Sequence, residues 1–106
     1  MPYVLIKTWF PPHKSEEVAK VYVEELKKYP PDRSLGKSLA TAIRANENGI
    51  MSIEIFDVKG GKLEESINHY QNVQIMYHNI EGFKYEIEIW RTAVEAMELL
   101  GIKPPE

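Results

Sequence analysis

The sequence lacks several features, and each absence excludes a class of protein or chemistry. The chain has 106 residues and no cysteine, which excludes disulfides, thiolate metal ligands and cysteine nucleophiles. Its longest apolar runs are far shorter than the ~20 residues that a membrane-spanning helix needs. The opening residues, Met1 to Val4, also lack the basic and then apolar pattern of a secretory signal. We therefore expect a cytoplasmic protein that has no membrane partner.

The chain also lacks an excess of basic charge. Lysine and arginine number 13 against 16 acidic residues, which gives a net charge of −3. Nucleic-acid binding needs clustered basic side chains, so no nucleic-acid partner is predicted. The length suits one folding unit, residues 1–106, and the apolar fraction of 43% is ordinary for a globular domain.

Hydrophobic periodicity predicts four strands and three helices. Alternating or β-branched runs predict strands at 3–10, 38–45, 50–58 and 83–91, and helical spacing predicts helices at 15–29, 62–79 and 93–100. The short polar connection that ends in Asn48-Gly49 predicts a hairpin between the second and third strands. Ser15 and Thr92 are the expected N-caps of the first and last helices, and Gly101 is expected to end the last one.

The resulting order, β-α-β-β-α-β followed by a short helix, predicts an α+β protein with the ferredoxin-like plan. In that plan an antiparallel sheet carries two helices on one face, and its first strand lies between the third and fourth. Period-two alternation then assigns each strand residue to one of two faces. The predicted helix-covered face is almost entirely apolar and comprises Val4, Ile6, Thr8, Phe10, Leu39, Thr41, Ile43, Met51, Ile53, Ile55, Phe83, Tyr85, Ile87 and Ile89.

The opposite face is predicted to combine aromatic, apolar and charged side chains in a pattern typical of a protein–protein contact. Its acids (Glu54, Glu86, Glu88) balance its bases (Lys7, Arg44, Lys84) in number. An ion pair is expected between Lys7 and neighbouring acids, namely Glu54 and either Glu86 or Glu88. The residues predicted to form a homodimer interface are Leu5, Lys7, Trp9, Arg44, Glu54, Phe56, Glu86, Glu88 and Trp90.

The element order, the length and the two-faced sheet resemble the dimeric α/β-barrel superfamily, over residues 3 to about 100. That resemblance implies two ferredoxin-like sheets packed open face to open face. The superfamily includes haem-degrading monooxygenases, muconolactone isomerase-like enzymes and stress-responsive proteins. Haem-degrading members combine a histidine on the second helix with an asparagine and a tryptophan on strands. Here Thr8 and Phe56 occupy the strand positions, so no haem or other cofactor is predicted.

The candidate ligand-binding residues are those expected to converge beneath the second helix: His69, Tyr70, Trp9 and Tyr85. Most small-molecule pockets combine an apolar lining with a few polar groups, as this set does. His69 and His78 are nine residues apart, which places them on opposite sides of a regular helix, so no metal site is predicted. His13 is interpreted as a surface residue.

Three functional classes remain open at this point. The first is a homodimer that binds a small molecule in a pocket between helices and sheet. The second is a cofactor-independent enzyme, either monooxygenase-like or tautomerase-like. The tautomerase alternative would use the amine of Pro2, which titrates near pH ~8 but is blocked while Met1 precedes it. The third is a purely structural or regulatory dimer. For the enzyme alternative, the sequence leaves the catalytic residues unknown.

Overall fold

A computed structural model describes residues 2–103. The four strands are β1 (Tyr3–Phe10), β2 (Gly36–Asn46), β3 (Gly49–Val58) and β4 (Lys84–Trp90), and the helices are α1 (Ser15–Lys28), α2 (Leu63–Ile75) and α3 (Ala93–Leu99). A short 3-10 turn, Pro12–Lys14, precedes α1. Within the described range, none of the helices has the length and apolarity needed to cross a membrane.

The four strands form one antiparallel sheet in the order β2-β3-β1-β4. This confirms the ferredoxin-like α+β fold and the central position of β1. The hairpin between β2 and β3 is also confirmed: Asn46 pairs with Gly49 across a two-residue turn. The side chain of Asn46 accepts a hydrogen bond from the backbone N–H of Asn48 at 2.8 Å, which holds that turn.

The face assignment of β3 was wrong, because the strand is inverted relative to the prediction. Val4 pairs with Phe56 and Ile6 with Glu54, so the even-numbered β3 residues share the helix-covered face. Ile53 and Ile55 lie instead on the open face, which we define by the odd-numbered residues of β1 and their cross-strand partners. The polar β3 side chains on the helix-covered face form hydrogen bonds there. One example is the hydrogen bond between the hydroxyls of Thr8 and Ser52.

Two apolar clusters make up the core. The first joins Val4, Ile6, Leu35, Phe56 and Val58 of the sheet region to the partly buried side chains of α2. The second contains Val73, Tyr77 and Ile80, from α2 and the turns that follow it. Val18 and Val21 of α1 pack against this cluster, as does Tyr29, which directly follows α1. Helix α1 therefore rests mainly on the end of α2 and not on the sheet.

The predicted N-cap is confirmed for α3 and was wrong for α1. Thr92 and Glu95 form a reciprocal capping box at the start of α3. Gly101, with φ of 74°, ends that helix in a Schellman arrangement in which the N–H of Ile102 donates to the carbonyl of Met97. Ser15, by contrast, is the first residue of α1, and its hydroxyl donates to the carbonyl of Pro12 at 2.7 Å. Its predicted capping role was therefore wrong.

Helix α2 is shorter than predicted. It ends at Ile75, and successive turns follow in which each N–H bonds three residues back, as from Tyr77 to Gln74 and from Ile80 to Tyr77. The tighter turns carry Tyr77 and Ile80 into the second cluster. The last part of the predicted helix is therefore a series of tight turns, which the packing of Tyr77 and Ile80 stabilises.

Candidate functional site: a cleft between the first helix and the hairpin

A cleft of about 810 Å³ lies between α1, α2 and the β2–β3 hairpin. It exists because α1 packs on the end of α2 and leaves the sheet below it uncovered. Aromatic and acidic side chains dominate its inner wall. The basic side chains lie near the start of β2 and the end of β3. The residues used below are Tyr22, Glu25, Tyr29, Arg33, Lys37, Thr41, Glu54, Phe56, Lys59, His69 and Tyr70.

Glu54 is the carboxylate that β3 directs into the cleft. The hydroxyl of Tyr70 donates a hydrogen bond to its Oε2 at 3.1 Å. Tyr70 is held by edge-on contacts with Phe56, at 5.2 Å between ring centroids, and with His69, at 5.1 Å. Burial raises the pKa of Tyr70 far above its usual range, and the neighbouring Glu54 carboxylate raises it further. Tyr70 therefore remains a neutral hydrogen-bond donor at all physiological pH values.

Glu25 is the second carboxylate, and α1 places it on the other side of the cleft. The hydroxyl of Tyr77 donates to its Oε1 at 2.6 Å. Burial raises the pKa of Glu25, the hydrogen bond from Tyr77 partly offsets that rise, and the negative charge of Glu54 adds to it. The two carboxylates therefore repel each other, and each is held by a neutral tyrosine.

No basic side chain within residues 2–103 forms an ion pair with either carboxylate. The ion pairs of this range join other acids, such as Glu17 with Lys14 and Glu65 with Lys62. Arg33, Lys37 and Lys59 line the cleft but come within 4 Å of neither Glu25 nor Glu54. The cleft thus contains negative charge that the described part of the chain does not neutralise locally.

The four predicted ligand-binding residues do not converge. His69 and Tyr70 do line the cleft, with the His69 ring 6.0 Å from that of Tyr29. Tyr85 lies at a different place, where its hydroxyl accepts a hydrogen bond from Gln71 at 2.7 Å and lies 3.1 Å from Nε2 of His78. Trp9 pairs with Met51 and Lys84 on the open face, so its expected position beside Tyr70 was wrong.

The open face differs from its prediction at β3. Glu54 and Phe56 do not belong to it, because both lie under the helices. Their places are taken by Met51, Ile53 and Ile55, which makes this face more apolar than expected.

The expected ion pair on the open face involves Glu88. Nζ of Lys7 lies 2.7 Å from Oε1 of Glu88 and 5.5 Å from the ring centroid of Trp90. That contact lowers the pKa of Glu88 below its usual range. Glu54 is on the other side of the sheet, so the expectation that it approaches Lys7 was wrong. Arg44 lies against the sulfur of Met51, with 3.6 Å between its Nη2 and Sδ.

Sequence reasoning missed Glu25 and Tyr77. A signal for Glu25 was present, because it lies four residues after Val21 and four before Tyr29, both of which pack against the second cluster. An acidic residue between two buried positions of a helix needs a hydrogen-bonding partner. Helical spacing placed Tyr77 on the same apolar stripe as Leu63, Ile67 and Tyr70, but nothing in the sequence indicated its hydrogen bond to Glu25.

No protein-family model matches the chain, and no curated protein matches it. Among solved structures, it is similar to a formyltetrahydrofolate deformylase from Pseudomonas putida KT2440, with 10% sequence identity and a TM-score of 0.47. The matched region covers 83% of this chain but only 28% of the deformylase chain.

Proposed function

We propose that this protein binds a small organic cation, such as an amine, in the cleft between α1 and the hairpin. The observation that carries this proposal is the pair of carboxylates, Glu25 and Glu54, that face the cleft without a basic partner. Buried or half-buried acids without counter-charge are costly, and a bound cation offsets that cost. Burial raises the pKa of Glu25, which is consistent with this cost.

The size and the lining of the cleft suit such a ligand. Its volume of about 810 Å³ falls within the range of roughly 300–1,000 Å³ that is usual for small-molecule sites. The rings of Tyr22, Tyr29 and Tyr70 line it, and aromatic faces attract cationic nitrogen in addition to the carboxylates. Arg33 and Lys37 line the same cleft, which suits a ligand that carries an acceptor group at its other end.

The test uses alkyl amines and diamines of increasing length, with alcohols of the same shape as neutral controls. Isothermal titration calorimetry at pH 7 is expected to detect the amines and not the alcohols. Glu54→Gln is expected to weaken amine binding at least tenfold, because it removes one charge without changing the shape of the side chain. Glu24→Gln makes the same change at an exposed α1 position, and we expect it to leave binding unchanged. Equal binding by amines and alcohols would contradict the proposal.

We further propose that the open face joins two copies of the chain. The inverted β3 supports this, because Met51, Ile53 and Ile55 lie beside Trp9 on that face and all four are partly exposed. Trp90 is half exposed there. A contiguous apolar surface on a small protein usually marks a contact site.

Sedimentation velocity at micromolar concentration tests the proposed dimer. The wild-type chain is expected to sediment as a dimer, and Trp90→Glu as a monomer, because an unpaired charge is costly to bury. Val23→Glu introduces the same charge at an equally exposed position of α1 and is expected to remain dimeric. A monomeric wild-type chain would refute this interface.

A further inference from the structure

A second cleft, of about 750 Å³, lies at the end of the sheet where β1 ends, β4 begins and the β2–β3 hairpin turns. We call it the Trp9 cleft. The lining residues used below are Trp9, Pro11, Arg44, Met51, Lys84 and Glu86. Among the described residues, none lines both this cleft and the one that contains Glu25 and Glu54. The two clefts are therefore separate sites.

Close packing fixes the frame of the Trp9 cleft. Gly82, with φ of 83°, turns the chain into β4 so close to Pro11 that a Cβ at this position would lie 2.7 Å from Cγ of Pro11. The neighbouring ring of Phe83 stacks on Phe10, with 6.2 Å between centroids. The end of β1 and the start of β4 are therefore held together without a ligand.

A cross-strand row on the open face lies in this cleft. Trp9 pairs with Met51 of β3 on one side and with Lys84 of β4 on the other, and Met51 pairs in turn with Arg44 of β2. The order across the sheet is therefore base, thioether, indole, base. Neighbouring strands are ~4.7–4.9 Å apart, so the Cα atoms of the two bases are about 14 Å apart, with the indole between them.

The two bases of this row lack an acidic partner. Nη2 of Arg44 lies 3.6 Å from Sδ of Met51, which places the guanidinium along the row, toward Trp9. Within residues 2–103, no carboxylate comes within 4 Å of the charged groups of Arg44 or Lys84. Glu47 and Glu86 line the same cleft but remain beyond that distance. Two positive charges thus flank one partly buried indole.

The other tryptophan of the open face has a different environment. Nζ of Lys7 lies 5.5 Å from the ring centroid of Trp90 and 2.7 Å from Oε1 of Glu88. At Trp90 the chain therefore supplies both a cation and its counter-charge. At Trp9 it supplies two cations and leaves the counter-charge to a ligand.

We propose that the Trp9 cleft binds a flat aromatic dianion, whose ring lies on the indole of Trp9 and whose two anionic groups reach Arg44 and Lys84. Aromatic rings stack favourably on an indole in an offset arrangement. Guanidinium and ammonium groups form strong, charge-assisted hydrogen bonds with carboxylates and phosphates. Anionic groups at opposite ends of a ring match two bases that lie on opposite sides of the indole.

The probe is benzene-1,4-dicarboxylate. A control of the same charge and similar length, trans-cyclohexane-1,4-dicarboxylate, lacks the aromatic ring, and benzoate lacks the second anionic group. The host is Trp90→Glu, which is expected to be monomeric and leaves Trp9 as the sole tryptophan of the chain. Its single indole N–H signal then reports binding in an NMR titration. Trp90→Phe also leaves one indole and repeats the titration with a milder substitution.

In both hosts we expect the probe to bind at least threefold more tightly than either control. A smaller difference from the cyclohexane compound would show that the ring is not recognised, and a smaller difference from benzoate that the second anionic group is not. Either result, or an indole signal that the probe does not shift, would overturn the proposal.

Variants of the charged residues separate this site from a general effect of charge. Arg44→Gln and Lys84→Gln should each weaken binding of the probe at least threefold, whereas Glu86→Gln should strengthen it, because it removes a negative charge from the cleft. Arg91→Gln is the matched control: it removes one positive charge directly after the other end of β4 and should leave binding unchanged. Equal weakening by all three basic substitutions would contradict the proposed site.

The result does not depend on the proposed amine site, because Glu54 lies on the other side of the sheet. Glu54→Gln should therefore bind benzene-1,4-dicarboxylate as its host does. The Trp9 cleft is part of the open face, so the dianion and a second copy of the chain exclude each other there. The probe should accordingly lower the proportion of dimer that the wild-type chain forms in sedimentation velocity. A dimer that persists at saturating probe would contradict this shared use of the open face.

Discussion

The two helix–strand pairs of this fold differ sharply in how they are packed. Strand β1 buries Val4, Leu5, Ile6 and Thr8, and the helix above it, α2, buries Ser66, Val73 and Gln74. Helix α1 and strand β2 bury no residue at all. The same pattern of elements therefore gives a well-packed half, β1 with α2, and an open half, α1 with β2.

We infer that the well-packed half contributes most of the stability of the fold and that the open half contributes surfaces available for binding. The first apolar cluster joins β1 and α2 of the well-packed half to Phe56 and Val58 of β3. The open half contributes the cleft wall, half of the carboxylate pair and the free sheet edge. Regions with few buried apolar contacts open at lower free energy, and ligand-binding segments are drawn from them. We therefore expect substitutions in the two halves to have effects of very different size.

The largest effect is expected at Phe56, whose ring belongs to the first cluster. Phe56→Ala should lower the free energy of unfolding by about 3–5 kcal/mol, because it removes a large buried ring and leaves a cavity. Leu26→Ala, on α1 where the side chain is 42% exposed, should cost less than about 1 kcal/mol. Urea denaturation monitored by circular dichroism measures both. Equal losses would show that the two halves are packed alike.

An intermediate effect is expected at Tyr77, which links α1 to the second cluster through Glu25. Tyr77→Phe keeps the ring stacked on Phe83, at 4.7 Å between centroids, and removes only the hydroxyl. The loss should be about 1–2 kcal/mol at pH 7, because the hydrogen bond is to a charged group that is only partly buried. Tyr29→Phe removes a hydroxyl beside the same cluster and should cost less.

The difference in unfolding free energy between the wild type and Tyr77→Phe is expected to depend on pH. The hydroxyl of Tyr77 favours the ionised form of Glu25, so its contribution is present while that carboxylate is charged. The pKa of Glu25 is raised in the folded state. The difference between wild type and Tyr77→Phe should therefore shrink as the pH falls through that raised pKa. A difference that is independent of pH between 7 and 4 would contradict the assigned contact.

The smallest effect is expected on the open face of the well-packed half, at Lys7. Its contact lowers the pKa of Glu88, so the pair stabilises the fold at neutral pH, and this contribution is lost as the pH falls through the lowered pKa. Lys7→Met should raise the pKa of Glu88 toward its usual value in an NMR titration. Lys84→Met, on the same face, should not change it. An unshifted Glu88 in Lys7→Met would show that the ion pair does not form in solution.

The sequence predicted one part of the candidate site correctly and another part wrongly. His69 and Tyr70 were predicted to line a pocket and do line the cleft, because both lie on the inner side of α2. Trp9 was predicted beside them and lies on the opposite face of the sheet. Alternation within β1 correctly placed Trp9 on the open face, so its second assignment to the pocket contradicted the pattern of its own strand. The error at Glu54 has a different cause. Alternation groups the residues of one strand but does not relate the faces of different strands.

The order of the elements, the hairpin and the capping of α3 could all be predicted from the amino-acid sequence, because each depends on residues that are close in the chain. Turn residues such as Asn46 and Gly49, and the capping pair of Thr92 and Glu95, act locally. The choice of which face of β3 is covered depends instead on contacts between distant parts of the chain. Both alternating sets of that strand contain apolar side chains, so hydrophobicity alone does not distinguish them. The partners of the polar residues do, since Thr8 bonds Ser52 and Tyr70 bonds Glu54, and these partners are distant in sequence.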